Sequence, residues 1–373
     1  MKKAEKELEQ ALMSKNTSLI NNVCSQNNFN CLLSILNQNK GNDKTIKIKL
    51  LCNWCSSSEL TCLWNKMSKG NYTWNNIVLI TDDSQPDYWV IINGVFDDRI
   101  KFDKKRTILF RMEPNMASNP HFWKEWSNPS DFDFLRIYRH EEIIVENKNK
   151  KEIDSFETFL HENKNKVIIE GQYNNCEWHL SLTYNQLSNY SFEKTENNIL
   201  STILSDKYSD IGHIKRVDFV KFLETKSDLD QTSPLCIHVY GGNKWNYTNY
   251  KGSLPSHCKD KGLLPYKYTF NCENHFIDNY FTEKLIDGIL AECLVFYAGC
   301  PNISQYIDSR AYIQLELSNF EKDYAIIKHV INNDLYKERL PFIKQAKKKI
   351  LNELQFFPRL EKFLNQIQQN KLK

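Results

Sequence analysis

Glycine and proline are scarce in this sequence, with 11 and 10 residues among 373. The scarcity excludes collagen-like chains and long flexible linkers, because both are rich in these residues. An excess of one charge is lacking as well, since 49 basic and 46 acidic residues leave a net charge of only +3. Proteins that bind nucleic acid usually concentrate positive charge on one face. The charge balance therefore predicts no nucleic-acid partner.

Long apolar runs are also missing. Runs such as Leu294–Tyr297 have the length of a strand and are far shorter than the ~20 residues of a transmembrane helix. Residues 1–15 contain no continuous apolar stretch, which a signal peptide would require. From these absences we expect a soluble cytoplasmic protein with no membrane span.

The 11 cysteines are scattered through the chain, and disulfides are rare in a reducing compartment. Cys52 and Cys55 have the spacing of a CxxC motif, but no second CxxC accompanies them. We therefore interpret this pair as packing at the end of a strand rather than as a metal or redox site.

Hydrophobic residues (41%) and aromatic residues (13%) suffice for a folded core. Short segments rich in β-branched and aromatic residues alternate with stretches of helical periodicity, which predicts parallel sheets with crossover helices. The pattern runs through the first half and repeats in the second, so we expect an α/β fold of two Rossmann-like, doubly wound domains. The predicted strands are 46–50, 77–80, 88–92, 107–110, 167–170, 199–204, 235–240 and 294–297.

The ends of the chain are predicted to be helical. From about Phe320 apolar residues recur at helical spacing. Pro341 suits the first turn of the last helix, and Lys347–Lys349 are expected on its solvated face. The predicted parts are residues 1–190 (acceptor-binding domain, helical over 1–40), 191–345 (donor-binding domain) and 346–373 (C-terminal helix).

One helix start in the second half carries the most informative pattern. Thr282 stands at an N-cap position, Glu283 and Lys284 follow, and Leu285, Ile286, Ile289 and Leu290 form an apolar stripe. Free N–H groups and the helix dipole make such a terminus a seat for phosphate. Lys284 adds positive charge to the positive end, and a bound diphosphate would turn that conflict into an advantage. Glu283 suits the hydroxyls of a ribose. An ordinary capped helix with solvated side chains is the alternative.

The residues around this helix resemble a known family. Glu273-Asn274 end an aromatic-rich segment, residues 280–284 read Tyr-Phe-Thr-Glu-Lys, and Tyr297–Asn302 contain a glycine turn followed by proline. In residue type and spacing this is similar to glycosyltransferase family 10, the α1,3/4-fucosyltransferases. Family members usually carry Phe where this chain has Cys272.

The resemblance extends upstream through residues 200–224, where Arg216 is the matching cation, and covers residues 196–316, roughly a third of the chain. It implies a GT-B architecture, in which two Rossmann-like domains face a cleft, with GDP-fucose as donor and a glycan or glycoprotein as acceptor. It implies no required cofactor, a divalent metal being at most stimulatory. The implied roles are diphosphate binding by Arg216, Lys284 and Tyr280, ribose binding by Glu283, and proximity of Asn274 and Glu273 to the nucleotide or the fucose.

An inverting transfer also needs a general base for the acceptor hydroxyl. Thr107–Phe110 is a predicted strand, and the segment that follows ends in Glu113-Pro114. It resembles the family's first-domain strand, whose terminal Glu is the proposed base, so the resemblance assigns that role to Glu113. A solvated carboxylate at a strand end is the alternative.

Other interpretations stay open at this point. Asp131-Phe132-Asp133 has the DxD spacing by which GT-A enzymes hold a metal, so a metal-dependent transferase of another nucleotide sugar is one alternative. A non-catalytic glycan-binding or scaffold protein is another. His121, Trp123 and Trp126 follow Glu113 and are candidates for stacking on a sugar or for core packing.

Overall fold

The computed structural model describes residues 45–82, 84–95, 97, 99–110, 112, 136–139, 167–169, 176–229 and 234–371. The predicted helical segment 1–40 and Glu113 lie outside these residues. The chain divides into two units, of which the smaller comprises Met1–Ile46 and Asn75–Ile77 and the larger Lys47–Trp74 and Val78–Lys373. In the smaller unit the Ile46 N–H donates to the Asn76 carbonyl at 2.8 Å. The site described below lies in the larger unit.

The first sheet has seven strands in the order β2-β3-β1-β4-β5-β6-β7. From β1 through β4, β5 and β6 to β7 each neighbouring pair is parallel. Helix α1 (Ser57–Trp64) follows β1 and starts at a capping box, in which Ser56 and Glu59 satisfy each other's backbone N–H groups. The strands are β1 (Ile46–Cys52), β2 (Thr73–Trp74), β3 (Ile77–Leu79), β4 (Tyr88–Ile92), β5 (Thr107–Phe110), β6 (Arg136–Arg139) and β7 (Val167–Ile169).

The second sheet has six strands in the order β10-β9-β8-β11-β12-β13, and every pair in it is parallel. The strands are β8 (Glu196–Leu204), β9 (Cys236–Gly241), β10 (Tyr250–Gly252), β11 (Tyr266–Cys272), β12 (Leu294–Ala298) and β13 (Tyr312–Gln314). The helices along this part are α2 (Tyr184–Asn189), α3 (Ile211–Leu229), α4 (Asp260–Leu263) and α5 (Glu283–Leu290). The predicted α/β class with two parallel sheets is therefore confirmed.

The order of the second sheet reverses between β8 and β11. The chain runs from β8 outward to β9 and β10, and then returns to place β11 on the other side of β8. In open α/β sheets such a reversal leaves a crevice outside the carboxyl ends of the two strands, and ligands bind there. The topology alone therefore points to the residues that follow β8 and β11.

The chain ends in the helices α6 (Phe320–Asn332), α7 (Leu335–Lys349) and α8 (Phe356–Lys371), with a π-helical turn at Ile350–Leu354 between the last two. Pro341 lies inside α7, so its predicted place in a first turn was wrong. The helix starts earlier because Asp334, in the left-handed conformation, supplies the N-terminal boundary. None of the helices that the structure describes has the length and apolarity needed to cross a bilayer.

Lys347 corrects a second expectation. Its side chain is buried rather than solvated, and Nζ donates to Glu292 Oε1 at 2.8 Å and to the Tyr190 carbonyl at 3.0 Å. The predicted solvated face came from helical periodicity within the segment. Such a pattern cannot reveal that Glu292, 55 positions away in the sequence, pairs with Lys347. The domain boundaries at 190 and 345 stay predictions.

Candidate nucleotide site

The crevice between β8 and β11 collects the predicted donor residues of the second half. Ser205 follows β8, and Glu273 and Asn274 follow β11. Helix α3 carries Arg216 in its second turn, and helix α5 carries Lys284 in its first. Side chains carried by β8, α3, β11 and α5 or the turns that follow them thus converge on the carboxyl edge of the sheet.

Arg216 holds the two central strands together at this edge. Its side chain is 5% exposed. One terminal nitrogen donates to Asn274 Oδ1 at 3.0 Å and to the Cys272 carbonyl at 3.3 Å, and the other donates to Ser205 Oγ at 2.9 Å. Burial lowers the pKa of Arg216, but a guanidinium keeps its charge at neutral pH. A fixed positive charge therefore stands at the strand reversal.

Gly212 allows helix α3 to begin so close to this edge. Its N–H donates to the Asn274 carbonyl at 3.0 Å. A Cβ at this position would lie 1.8 Å from the carbonyl oxygen of Glu273. Only glycine fits against a backbone at that distance, and the sequence motifs had not singled it out.

The start of helix α5 agrees with the sequence prediction. Thr282 is the N-cap and its hydroxyl accepts from the Lys284 N–H, while the stripe Leu285, Ile286, Ile289 and Leu290 is buried. Lys284 Nζ lies 3.2 Å from Glu283 Oε1 and 3.6 Å from Glu273 Oε2. The repulsion expected between the Lys284 ammonium and the positive end of the helix dipole is thus offset by the carboxylates of Glu283 and Glu273.

Glu283 is held between two lysines. Burial by itself would raise the pKa of Glu283, but Lys284 and Lys259 hold it well below its usual value. Burial likewise opposes the charge of Lys284, while Glu283 and Glu273 raise the pKa of that ammonium and the charge of Arg216 acts to lower it. Arg216 and Lys284 therefore act on one another electrostatically, within a site where Glu283 stays ionised.

Glu273 is fully buried and fixes the loop in front of helix α5. Its carboxylate accepts from the Thr282 N–H at 2.8 Å and from the Thr282 hydroxyl at 2.6 Å. Burial raises the pKa of Glu273, against the opposing charge of Lys284. Tyr280 is 2% exposed, and its ring packs 6.2 Å from that of His275. Both side chains are buried beside the start of helix α5.

Lys259 belongs to this site, although sequence reasoning missed it. Its Nζ donates to Asp287 Oδ2 at 2.8 Å and lies 3.4 Å from Glu283 Oε1. Burial works against its charge, but Asp287 and Glu283 raise the pKa of Lys259. The contacts join residues 24 and 28 positions apart, and no local pattern in the sequence signals a pairing over that distance.

Several predicted residues lie outside the described part of the chain: Glu113, His121, Trp123, Trp126 and Asp131-Phe132-Asp133. Met112, immediately before Glu113, donates its N–H to Asn93 Oδ1 at 2.7 Å. Over the described ranges, no group of three or more His, Cys, Asp or Glu side chains is arranged to hold a metal ion. Cys52 and Cys55 place their sulfur atoms 3.5 Å apart at the end of β1.

A scan against protein-family models finds no match, and a search of the curated proteins finds none either. Similar solved structures include an α1,3-fucosyltransferase with GDP-fucose, at 14% identity over 81% of this chain and 82% of that chain, with a TM-score of 0.44. A glycosyltransferase from Rickettsia africae ESF-5 is 13% identical over 88% of this chain and 98% of that chain (TM-score 0.47). An α-glucosyltransferase in complex with UDP and a 13-mer DNA is 12% identical over 87% and 100% (TM-score 0.44).

Proposed function

We propose that this protein is a GT-B glycosyltransferase that moves fucose from GDP-fucose to a hydroxyl of a glycan or glycoprotein, with inversion at the transferred carbon. The observation that carries the proposal is the convergence of Arg216 and Lys284 at the strand reversal between β8 and β11, where α/β sheets bind nucleotides. The resemblance of residues 196–316 to the fucosyltransferases supplies the donor sugar.

The two cations explain how the site would accelerate transfer. Negative charge grows on the departing GDP as the bond between sugar and phosphate breaks. Arg216 and Lys284 are already fixed by their neighbours, so they stabilise that charge without having to rearrange. Arg216 keeps Nε, which has no hydrogen-bond partner among the described residues, and one N–H of the nitrogen that contacts Ser205 for phosphate oxygens, whereas Lys284 acts as a point charge.

Of the remaining residues, some are proposed to contact the nucleotide and others to position the residues that do. Glu283, kept ionised by Lys284 and Lys259, is suited to accept hydrogen bonds from the ribose hydroxyls. Asn274 orients Arg216 through its amide oxygen. Glu273 and Tyr280, both buried, shape the loop that presents Lys284. We assign the acceptor's general base to Glu113, which would take the hydroxyl proton as the oxygen attacks the sugar.

Calorimetric titration with GDP, UDP and dTDP tests the donor site. We expect GDP to bind, and Lys284→Gln and Arg216→Gln each to weaken binding about tenfold or more. Lys322→Gln is the matched control, because that lysine is 57% exposed and forms a surface ion pair with Glu316. Absence of GDP binding would favour the scaffold alternative, and unchanged affinity in Lys284→Gln would remove this lysine from the site.

Transfer assays separate the base from the donor site. Glu113→Gln is expected to bind GDP like the wild type and to lose transfer, because only deprotonation of the acceptor is affected. Diphosphate and ribose contacts do not distinguish sugars, so a panel of GDP-, UDP- and dTDP-sugars should be ranked by the melting temperature each produces. Transfer that persists with a strong chelator is expected, and its loss would favour the DxD metal-dependent alternative.

A further inference from the structure

A cavity lies at the carboxyl edge of the first sheet, apart from the strand reversal of the second. It measures about 240 Å³ and is lined by residues that follow three of its strands, namely Trp54 after β1, Asn93 after β4 and Met112 after β5. Glu177, His179, His257 and Lys66 supply the charged and titratable groups of its wall. Pockets for drug-sized ligands span ~300–1,000 Å³, so this cavity suits a smaller ligand, of the size of one ring.

The wall of the cavity combines an available aromatic face with fixed polar groups. Trp54 is 44% exposed, which is unusual for so large an apolar side chain. Trp64 Nε1 donates to Glu177 Oε2 at 2.8 Å, and His179 Nε2 lies 3.7 Å from Glu177 Oε1. The carboxylate is thereby oriented and retains lone pairs for a hydroxyl.

His257 is the second unusual residue of this wall. Its backbone has φ of +55°, a conformation that is uncommon outside glycine and that clusters at functional sites. Its ring packs against that of His179, with centroids 4.5 Å apart at 76°. Within the ranges that the structure describes, its ring nitrogens have no hydrogen-bond partner. The strained backbone thus presents an imidazole to the cavity.

The charges around the cavity are balanced. Glu177 is negative, and Lys66, whose Nζ donates to the Leu180 carbonyl at 2.9 Å, is positive. Burial opposes protonation of both histidines, but the neighbouring Glu177 and the carboxylates behind it raise the pKa of His179, whereas the pKa of His257 is lowered. Glu177 would repel a bound anion, and Lys66 would repel a bound cation. The balance favours a neutral ligand rich in hydroxyl groups.

The cavity is linked to the nucleotide site by a continuous set of hydrogen bonds. The His179 N–H donates to Asp287 Oδ1 at 2.7 Å, and the other oxygen of Asp287 accepts from Lys259. Lys259 in turn contacts Glu283. Met112, in the cavity wall, directly precedes Glu113 in the chain. The cavity is therefore adjacent both to the proposed donor residues and to the point where the chain enters the proposed base.

We propose that this cavity binds a single neutral sugar ring, whose C–H face stacks on Trp54 and whose hydroxyls bind Glu177 and His257. Aromatic faces and a few convergent polar groups are the two features that such a ligand requires. That the bound sugar is the acceptor residue rests on the proposed function, whereas the binding itself does not.

Saturation-transfer NMR with methyl glucoside and methyl glucuronoside tests the proposal, because the two probes differ only at C6, where a carboxylate replaces the hydroxymethyl group. The neutral probe is expected to bind and the anionic one to bind at least about tenfold more weakly. Trp54→Ala and His257→Asn should each reduce binding of methyl glucoside about tenfold. Asn tolerates the left-handed backbone, so His257→Asn isolates the imidazole. Tyr190→Ala is the matched control, since Tyr190 is an exposed aromatic (54%) that does not line the cavity.

Two results would overturn the assignment: no saturation transfer to methyl glucoside in the wild type, or unchanged binding in both cavity variants. GDP affinity is measured on the same samples by calorimetry. Loss of sugar binding in Trp54→Ala with GDP affinity within about twofold of wild type supports a separate sugar site. GDP binding without sugar binding rejects the cavity proposal alone, and sugar binding without GDP binding rejects the donor site alone.

Discussion

At the scale of single residues, the candidate site is a chain of buried charges with Lys259 in its middle. Lys259 lies between Asp287 and Glu283 and is only 18% exposed. We expect Lys259→Met to lower the free energy of unfolding by about 3 kcal/mol, because removing one member of a buried ion pair leaves unpaired charge behind. Chemical denaturation measures this loss.

Lys259 is a positioning residue, so its effect on activity has a distinct form. Without it Glu283 loses one of two partners, and the KM for the donor should rise about tenfold while kcat changes little. Lys259→Arg retains the charge and should restore most of the affinity. A variant that is destabilised but has an unchanged donor KM would reduce Lys259 to a purely structural role.

The residues that sequence reasoning located share one property: their signals are local. Thr282, Glu283 and Lys284 are consecutive, and a cap followed by an apolar stripe identifies a helix start whatever surrounds it. Contacts across the site instead join distant parts of the chain, as Lys259 does with Glu283 and Arg216 with Asn274. Arg216 was reached only through the family resemblance, and Lys259 was not reached at all, because no period or spacing encodes a contact between distant segments.

At the scale of secondary-structure elements, the approach of helix α3 to the loop after β11 determines where Arg216 lies. Gly212 forms that contact through its own N–H, and an added Cβ would meet the Glu273 carbonyl oxygen at 1.8 Å. We expect Gly212→Ala to push the helix away, to lower the free energy of unfolding by about 1–3 kcal/mol, and to weaken GDP binding because Arg216 moves with the helix.

Gly262→Ala is the matched control for that substitution. Its added Cβ would meet the end of the Ile203 side chain at 3.0 Å, and a flexible side chain yields where a backbone does not. Thermal unfolding and GDP calorimetry on both variants check the prediction. Equal GDP affinity in Gly212→Ala and wild type would show that the helix start does not position Arg216.

Strands that contain a run of apolar residues were mostly predicted with bounds close to those in the structure, as Tyr88–Ile92 and Thr107–Phe110 illustrate. The short edge strands Tyr250–Gly252 and Tyr312–Gln314 were missed. A strand of three residues is too short to show a period, and it forms because a neighbouring strand offers hydrogen bonds. Pro341 was predicted in a first turn because proline is common there, but helix α7 begins six residues earlier, at Leu335. A proline alone does not show whether a helix has already begun before it.

At the scale of the whole molecule, the last helix completes the core of the first sheet. Helix α8 follows the helices of the second half, but its Phe356 ring lies 4.8 Å from Trp64 and its Phe363 ring 6.0 Å from Phe110 on β5. Gln355 donates to the Met67 carbonyl at 3.3 Å. Helix α8 and Gln355 therefore stabilise the first sheet and the segment after helix α1, which periodicity alone did not indicate.

This packing predicts that the two sheets unfold together. Phe356 is fully buried, and Phe356→Ala should lower the free energy of unfolding by about 3–5 kcal/mol through lost burial and the cavity left behind. Because α8 is joined to α7 by only the short segment Ile350–Gln355, the destabilisation should shift one cooperative calorimetric transition as a whole, with Tyr190→Ala unchanged as the exposed control. Two separate transitions in Phe356→Ala, with only the earlier one displaced, would mean that the first sheet and α8 unfold independently of the nucleotide-binding half.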